Sequence, residues 1–260
     1  MFTLFGIKIA DIDLDKTLAK IQDFLQDGRK HLVVTANPEI MVYAHNHLEY
    51  KKILQGADLV VPDGFGLVLA SYLGLSPLAK GRVTGVELAE NLIKNSTKGG
   101  YSIFLVGATK DILEKATLNF SSKYTKINIV GYNSGSIFSV DDKFPLQNKE
   151  NDELLEEIKN KKPDIILVAF GHPKQELWLK YYMSELPVKV GIGIGGALDY
   201  FAGKAIVPPK IVRSIGLEWL WRLIMEPKRA KRIFIAVVIF PVLVLGDLIK
   251  KLFHVEQFKD

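Results

Sequence analysis

The residues best suited to chemistry in this sequence directly follow two short apolar runs. Asp63 follows the run 57–61 and precedes Gly64, in the segment VPDGFG. A carboxylate at the carboxyl end of a strand, beside a glycine that admits a ligand, is well placed to act as a general base. Thr35 and Asn37 hold the equivalent positions after the preceding run, in TANPE. For all three, the competing interpretation is that they cap a helix or a turn, as short polar side chains often do.

A glycine pattern and several arginines could hold a phosphate. Gly191, Gly193 and Gly196 form a G-x-G-x-x-G pattern after a predicted strand, and such turns let backbone N–H groups approach phosphate oxygens. A dinucleotide-binding fold also needs an acidic residue about 20 positions later, where only Glu218 stands, inside a basic segment. The pattern therefore favours a nucleotide diphosphate over NAD. Arginine suits bidentate phosphate contacts, and the candidates are Arg82, Arg213, Arg222, Arg229 and Arg232.

Metal binding finds little support in the sequence, which contains no cysteine. Asp11 and Asp13 form the D-x-D pattern that some enzymes use for a divalent cation, but they stand where a helix is predicted to begin, so capping is the better interpretation. His45 and His47 would face apart on a helix. We predict no metal and no cofactor.

The elements that must position these residues follow from the hydrophobic pattern. Predicted strands span 31–36, 57–61, 102–106, 126–130, 165–169 and 188–193. Predicted amphipathic helices span 14–26, 39–47, 85–96, 111–124, 151–161 and 175–183. Near-continuous apolar strands separated by helices predict an α/β fold, with a Rossmann-like parallel sheet covered by helices on both faces. Ligands of such sheets bind beyond the carboxyl ends of the strands, where the polar turns of this sequence stand.

The last part of the chain has a different composition. Residues 204–232 carry eight Lys and Arg against two Asp and Glu, and so hold essentially all of the chain's net charge of +5. The run 233–246 that follows is uncharged but contains Pro241. A spanning helix needs about 20 apolar residues, so this shorter, interrupted run is expected to lie in a membrane interface or against a neighbouring subunit. A buried terminal helix is the alternative.

The basic residues beside Trp219 and Trp221 favour the membrane interpretation. A nucleic-acid partner is weaker, because the adjacent apolar run suits lipid better than a duplex. We therefore predict an α/β catalytic domain over 1–203 and a helical C-terminal appendage over 204–260. Residues 204–249 are expected to have two separable jobs, membrane docking and completion of the active site. The N-terminus lacks the pattern of a signal peptide, which predicts a cytoplasmic protein.

Eight segments, taken together and in order, resemble the WecG/TagA/CpsF family of bacterial glycosyltransferases. They are TANPEI, VVPDGFG, GRVTG, FLVGAT, VGYNSG, VAFGHPKQE, GIGGALDYFAGK and GLEWLWRLIMEPKRAKR, and the resemblance runs from about residue 3 to 232. It implies an inverting, metal-independent transfer of N-acetylmannosamine from UDP to N-acetylglucosaminyl-diphospho-undecaprenol, in wall teichoic acid linkage-unit synthesis. One alternative is another UDP-sugar, such as N-acetylmannosaminuronic acid, in a different surface polysaccharide pathway. The alternative of another class is a non-catalytic, membrane-associated UDP-sugar-binding protein.

The resemblance also implies which residues form the site and where the protein works. It makes Asp63 the general base, places Thr35 and Asn37 in the same pocket and adds Arg82 to the catalytic set. The substrate-binding residues that it implies are Gln175, Asp199, Tyr132, Gly107, Gly195, Gly196, Arg222, Arg229 and Arg232. The last three stand on an appendage expected to close over the active site. The expected partners are a UDP-sugar, a polyprenyl-diphosphate-linked acceptor, the cytoplasmic membrane surface and further copies of the chain in a homo-oligomer. The expected location is peripheral, on the inner face of the cell membrane.

Overall fold

The centre of the protein is a six-stranded sheet whose paired strands are all parallel. The computed structural model describes residues 1–74, 76–141, 144, 146–205, 209, 212 and 218–256, without the side chains of 218, 222 and 251–256. The sheet comprises β3 (His31–Ala36), β4 (Leu59–Pro62), β5 (Ile103–Gly107), β6 (Ile129–Asn133), β7 (Ile165–Ala169) and β8 (Val190–Gly193). They follow the spatial order β4-β3-β8-β7-β5-β6. An antiparallel hairpin, β1 (Phe2–Leu4) and β2 (Ile7–Ile9), precedes them. The predicted α/β fold is confirmed.

Helices cover both faces of this sheet. The described helices of the body are α1 (Leu14–Gln26), α2 (Pro38–Asn46), α3 (Leu48–Gln55), α4 (Phe65–Leu73), α5 (Gly85–Gly99), α6 (Lys110–Lys123), α7 (Lys149–Lys161), α8 (Lys174–Tyr182) and α9 (Ala197–Phe201). Buried residues of α1, α5, α6 and α9 form one core with one face of the sheet. Those of α2, α3, α4, α7 and α8 form a second core on the other face. This double cover is why the central strands are apolar on both sides.

Short polar side chains cap several helices of the body, α1 and α5 among them. The Asp13 carboxylate accepts a hydrogen bond from the Lys16 amide at 2.9 Å and so caps α1. The interpretation of the D-x-D pattern as a cap is therefore confirmed for Asp13. Helix α5 begins with a capping box in which Thr84 and Glu87 each satisfy the other's backbone N–H. This box fixes the start of α5, which lies beside the candidate site.

The C-terminal part of the chain continues as helix. After α10 (Glu218–Met225) comes one helical run, here called the C-terminal helix: a 3₁₀ turn (Pro227–Arg229), an α-helical turn (Ala230–Phe234), a π-helical turn (Ile235–Ile239) and a long α-helix (Phe240–Glu256). The interruption expected at Pro241 does not occur. Proline lacks an N–H and crowds the carbonyl four residues earlier, and the wider π-helical turn precedes it.

The C-terminal helix is exposed over most of its length but packs against the body of the protein at its middle. By length and composition the stretch Pro227–Lys250 is long and apolar enough to cross a membrane, and only 11% of its most apolar window is buried in the protein. The expectation that the apolar run is too short to span is therefore wrong by the criterion of length. Two of its side chains, Phe240 and Val244, are nevertheless 2% and 1% exposed and belong to the core that contains α2 and α4. The helix is thus held to the body at its middle.

Candidate active site

Three neighbouring strands bring the expected catalytic turns together at one edge of the sheet. Parallel pairing sets Ala36 of β3 opposite Pro62 of β4, and Val34 of β3 opposite Gly193 of β8. The Asp63 amide donates to the Ala36 carbonyl at 2.6 Å. The TANPE and VPDG turns are therefore direct neighbours, at the edge of the sheet where the alternation of strands and helices predicts a site.

The Asp63 carboxylate is half-buried and held at the start of α5. The amide of Gly85 donates to Asp63 Oδ2 at 3.2 Å. A side chain at Gly85 would bring a Cβ to 3.2 Å from the Ile194 carbonyl oxygen and 3.3 Å from Thr35 Oγ1, closer than most such contacts. Glycine is thus needed there so that α5 can approach β8 and β3 while its first amide orients the carboxylate.

A cavity of about 350 Å³ opens in front of Asp63. Its polar and charged lining comes from Asn37, Glu39, Asp63 and Arg82. The rest of its wall is largely apolar and comes from α4, α10 and the C-terminal helix: Phe65, Leu69, Ala70, Leu73, Trp219, Ile233, Ala236, Val237, Phe240, Pro241 and Val244. A single cavity therefore joins the candidate base to the apolar helices.

The two residues of the TANPE turn that were predicted to be in the site, Asn37 and Thr35, differ in their position relative to the cavity. Asn37 lines the cavity, and its side-chain oxygen also accepts from the Ile40 amide at 2.9 Å, so it caps α2. Thr35 is only 4% exposed, and its hydroxyl donates to the Gly193 carbonyl at 3.0 Å. Thr35 is outside the described lining of the cavity. Its contacts suit a residue that fixes β3 to β8 behind the site.

Gln175 connects the glycine turn after β8 to a buried acid. Gln175 Oε1 accepts from the Gly195 amide at 2.9 Å, and its Nε2 donates to Glu176 Oε1 at 2.7 Å. Gln175 and Glu176 are 2% and 0% exposed. Burial raises the pKa of the Glu176 carboxyl to about 7, although the hydrogen bond from Gln175 acts in the opposite direction. A Cβ on Gly193 would lie 2.5 Å from Gln175 Nε2, so the backbone of β8 must stay bare for this contact.

Other residues that the family resemblance implies for substrate binding lie along the same edge of the sheet. They are outside the lining of the cavity as the structure describes it. Gly107 ends β5 with φ of +93°, and Tyr132 stands on β6, half-buried. Gly195 has φ of +54°, and Gly196 precedes α9, which carries Asp199. Burial raises the pKa of the Asp199 carboxyl, while the charges of Arg229 and Lys204 oppose the increase. The glycine turn and an arginine of the appendage thus both lie near Asp199.

The described C-terminal arginines are bound to carboxylates. Arg229 Nε lies 2.6 Å from Glu226 Oε2, within the appendage. Arg232 Nε donates to Glu39 Oε2 at 2.6 Å, which links the C-terminal helix to the start of α2. The Arg222 side chain and the whole of Arg213 lie outside the described residues.

A second cavity, of about 500 Å³, lies on the other side of the Arg232–Glu39 pair. Tyr43, His47 and His172 contribute to its wall. Burial lowers the pKa of His172; Arg232 adds to that effect and Glu39 opposes it. Glu39 lines both cavities, so the pair stands between them.

In the described part of the chain, carboxylate and imidazole side chains do not form the cluster that a metal site requires. Over those residues, no group of three or more His, Cys, Asp or Glu side chains is placed to hold an ion. Asp11, the other half of the D-x-D pattern, accepts from the Lys80 amide at 2.9 Å.

Comparison with known proteins agrees with this architecture. The family model described as the glycosyl transferase WecG/TagA/CpsF family matches residues 2–253, nearly the whole chain. The chain belongs to the WecG/TagA/CpsF family of glycosyltransferases. It is 33% identical over 234 residues to N-acetylglucosaminyldiphosphoundecaprenol N-acetyl-beta-D-mannosaminyltransferase of Staphylococcus aureus strain MW2, which covers 87% of each chain. The enzyme of the same name from strain NCTC 8325 / PS 47 is 32% identical over the same length and coverage.

Several residues in and beside the candidate site were not singled out from the sequence. Glu39 stands in TANPE and Glu176 in HPKQE, so both lie within segments that carry the resemblance. Helix α4, which supplies one wall of the cavity, follows VPDG directly. Its sequence FGLVLASYL is apolar almost throughout, so it lacks the polar stripe that predicts a surface helix.

Proposed function

We propose that this glycosyltransferase moves N-acetylmannosamine from UDP to an N-acetylglucosaminyl-diphospho-undecaprenol acceptor, with inversion and without a metal ion. The observation that carries the proposal is the cavity that joins Asp63, Asn37 and Arg82 to the apolar C-terminal helix. It offers a base, a cation and an apolar surface in one place, as a lipid-linked, diphosphate-bearing acceptor requires. The name of the Staphylococcus aureus relatives describes transfer of the same sugar to the same acceptor.

In the proposed reaction, a hydroxyl oxygen of the acceptor sugar attacks the anomeric carbon of the donor. The bond from that carbon to the UDP oxygen breaks, and its electron pair leaves with UDP. Asp63 takes the hydroxyl proton as the new bond forms, which is the role of a general base. The Gly85 amide holds the carboxylate in place at 3.2 Å. Because attack and departure occur on opposite sides of the carbon, a single displacement inverts the configuration.

Charge grows on the diphosphate of UDP as the donor bond breaks, and cations of the protein are proposed to stabilise it. Arg82 lines the cavity beside Asp63. Arg229 acts electrostatically on Asp199, next to the glycine turn at Gly195 and Gly196. The Gly195 amide is already bonded to Gln175, so the turn is proposed to let the diphosphate approach closely rather than to bind it through that amide. The appendage would thus contribute to the nucleotide site as well as to the apolar wall.

The membrane surface is the proposed place of the reaction. The apolar part of the C-terminal helix is largely exposed, and it follows the basic block 204–232, whose last residues form the first turns of the same helix. Each Lys or Arg near an anionic lipid surface contributes about 1 kcal/mol of attraction. Basic residues and an exposed apolar helix together support docking at the inner face of the cell membrane.

The experiment that tests this function is mass spectrometry of the products formed from a panel of UDP-sugars and a short-chain lipid-diphosphate acceptor. We expect a product larger than the acceptor by one N-acetylhexosamine, formed with UDP-N-acetylmannosamine in preference to the other donors. A product with a different sugar would move the protein to another polysaccharide pathway. The absence of product with every donor, in protein that binds UDP-sugar, would favour a non-catalytic binding protein.

A further inference from the structure

The cavity in front of Asp63 has a polar part and an apolar part. The polar part carries Asn37, Glu39, Asp63 and Arg82, and the remainder is lined mainly by carbon. Helix α4 and the C-terminal helix both contribute apolar wall to the cavity, and they approach each other closely. A Cβ on Gly66 of α4 would lie 3.7 Å from the Phe240 ring. A cavity of about 350 Å³ falls within the range of roughly 300–1,000 Å³ typical of small-molecule sites.

The apolar part of the cavity is open. Leu69 and Leu73 of α4 line it but remain 53% and 54% exposed. The apolar surface continues outside the cavity on both helices, because Tyr72 is 55% exposed and Val242 and Leu245 are 63% and 52% exposed. Exposed apolar side chains in such a continuous arrangement mark an interaction surface. The cavity therefore leads from the candidate base to a surface suited to lipid.

We propose that this cavity binds the first isoprene units of a polyprenyl diphosphate, between α4 and the C-terminal helix. The inference rests on the proposed function and gives the acceptor's chain a location. The diphosphate and sugar occupy the polar part, and the chain leaves past Leu69 and Leu73 into the membrane. Helix α4 is then a lipid-contacting element of the catalytic body itself, separate from the appendage.

The test is direct binding without a sugar donor, so that it does not depend on turnover. Binding of farnesyl diphosphate and of ethyl diphosphate is measured by calorimetry on the full chain. Burying even a few carbon groups is worth more than about a tenfold change in affinity. We expect the protein to bind the farnesyl compound at least about tenfold more tightly. Equal affinities would overturn the inference, because the diphosphate alone would then account for binding.

Two substitutions in one helical turn locate the effect. Ala236 lines the cavity, whereas Val238 is 43% exposed and outside its described lining. Ala236→Phe fills the apolar part and should abolish the preference for farnesyl diphosphate. Val238→Phe adds a ring on the outer side of the same π-helical turn and should keep that preference. Equal loss in both variants, or none in Ala236→Phe, would contradict the proposed location.

A labelling experiment keeps the test decisive if Ala236→Phe fails to fold. Farnesyl diphosphate with a terminal diazirine is cross-linked to the unaltered protein, and labelled peptides are identified by mass spectrometry. Labels on 65–73 or 233–244 that excess farnesyl diphosphate removes support the site, and labels confined elsewhere refute it. Removal of the label by phosphatidylglycerol vesicles, but not by farnesyl diphosphate, would assign the cavity to bulk lipid instead. Specific farnesyl binding without sugar transfer would refute the proposed function alone.

Discussion

Replacing Glu176 with glutamine tests how the buried acid behind the glycine turn affects stability. Glu176 is fully buried, and burial raises its pKa from 4.5 to about 7. Glutamine keeps an oxygen that can accept the hydrogen bond from Gln175, now at 2.7 Å. The substitution therefore removes the titration of this residue while it preserves the size of the side chain and its main contact.

The sign of the pH effect follows from the direction of the shift. Between pH 4.5 and 7 the folded protein holds a proton on Glu176 that the unfolded chain has released, so the free energy of unfolding falls as pH rises. Each pKa unit corresponds to about 1.4 kcal/mol, so the raised pKa amounts to about 3 kcal/mol lost by pH 8 relative to pH 4.5. That is a sizeable part of the roughly 5–15 kcal/mol that stabilises a typical protein.

The assay is urea denaturation of the wild type and of Glu176→Gln between pH 5 and pH 8, in the same detergent. We expect the variant to gain about 2–3 kcal/mol over the wild type between the two ends of that range. Glu185→Gln is the matched control, because Glu185 is exposed just after α8, and its pH profile should run parallel to that of the wild type. A Glu176→Gln profile parallel to the wild type would show that the buried carboxyl does not titrate in this range, which would refute the reasoning.

Asp63→Asn is expected to keep binding UDP-sugar and to lose turnover by roughly 10²-fold or more, as removal of a general base does; near-normal turnover would remove Asp63 from that role. Excess EDTA is expected to leave the transfer rate unchanged, and loss of activity restored by Mg²⁺ or Mn²⁺ would contradict metal independence. Arg229→Ala is expected to lower turnover of a soluble acceptor by roughly 10²-fold, while liposome binding weakens by only about 1 kcal/mol. The opposite pattern would make Arg229 a lipid contact only.

The sheet edge was predictable because buried parallel strands are continuous apolar runs. The predicted bounds of His31–Ala36 and Ile165–Ala169 agree with the structure residue for residue. Strand β6 was predicted three residues too early, at 126–130 instead of Ile129–Asn133. It lies at the edge of the sheet and is only half-buried along its length. Its sequence therefore lacks the continuous apolar signal that identified the central strands.

The role of α4 could not be predicted from local pattern. An apolar helix with no polar stripe is expected where a second apolar element packs on its outer side. In this protein that element is the C-terminal helix, whose Phe240 lies near α4 but is distant from it in sequence. The hairpin β1–β2 was also missed, since two strands of three residues give little periodic signal. The placement of the turns that hold Asp63 and Asn37 at one edge of the sheet followed from the alternation of strands and helices, whereas their shared pocket was implied by the family resemblance. The contact of Asp63 with Gly85 followed from neither, because it depends on how α5 packs against β8.

The structure bears most directly on the prediction that residues 204–249 have two separable jobs. Phe240 and Val244 are buried in the same core as α2, and Ile233 and Val237 line the candidate active site. Removing 233–260 would therefore expose a core surface and open the cavity, besides removing the proposed membrane contact. The two proposed roles, membrane docking and completion of the site, cannot be separated by cutting the chain at residue 233.

The π-helical turn Ile235–Ile239 sets the rotational phase of everything that follows it in the chain. Such a turn holds about one residue more than an α-helical turn, and one residue of α-helix corresponds to a rotation of about 100°. A one-residue deletion there would turn Phe240 and Val244 away from the body while leaving the composition of the helix almost unchanged. Homologous tails should therefore resist insertions and deletions here more strongly than exchanges between apolar residues of similar size.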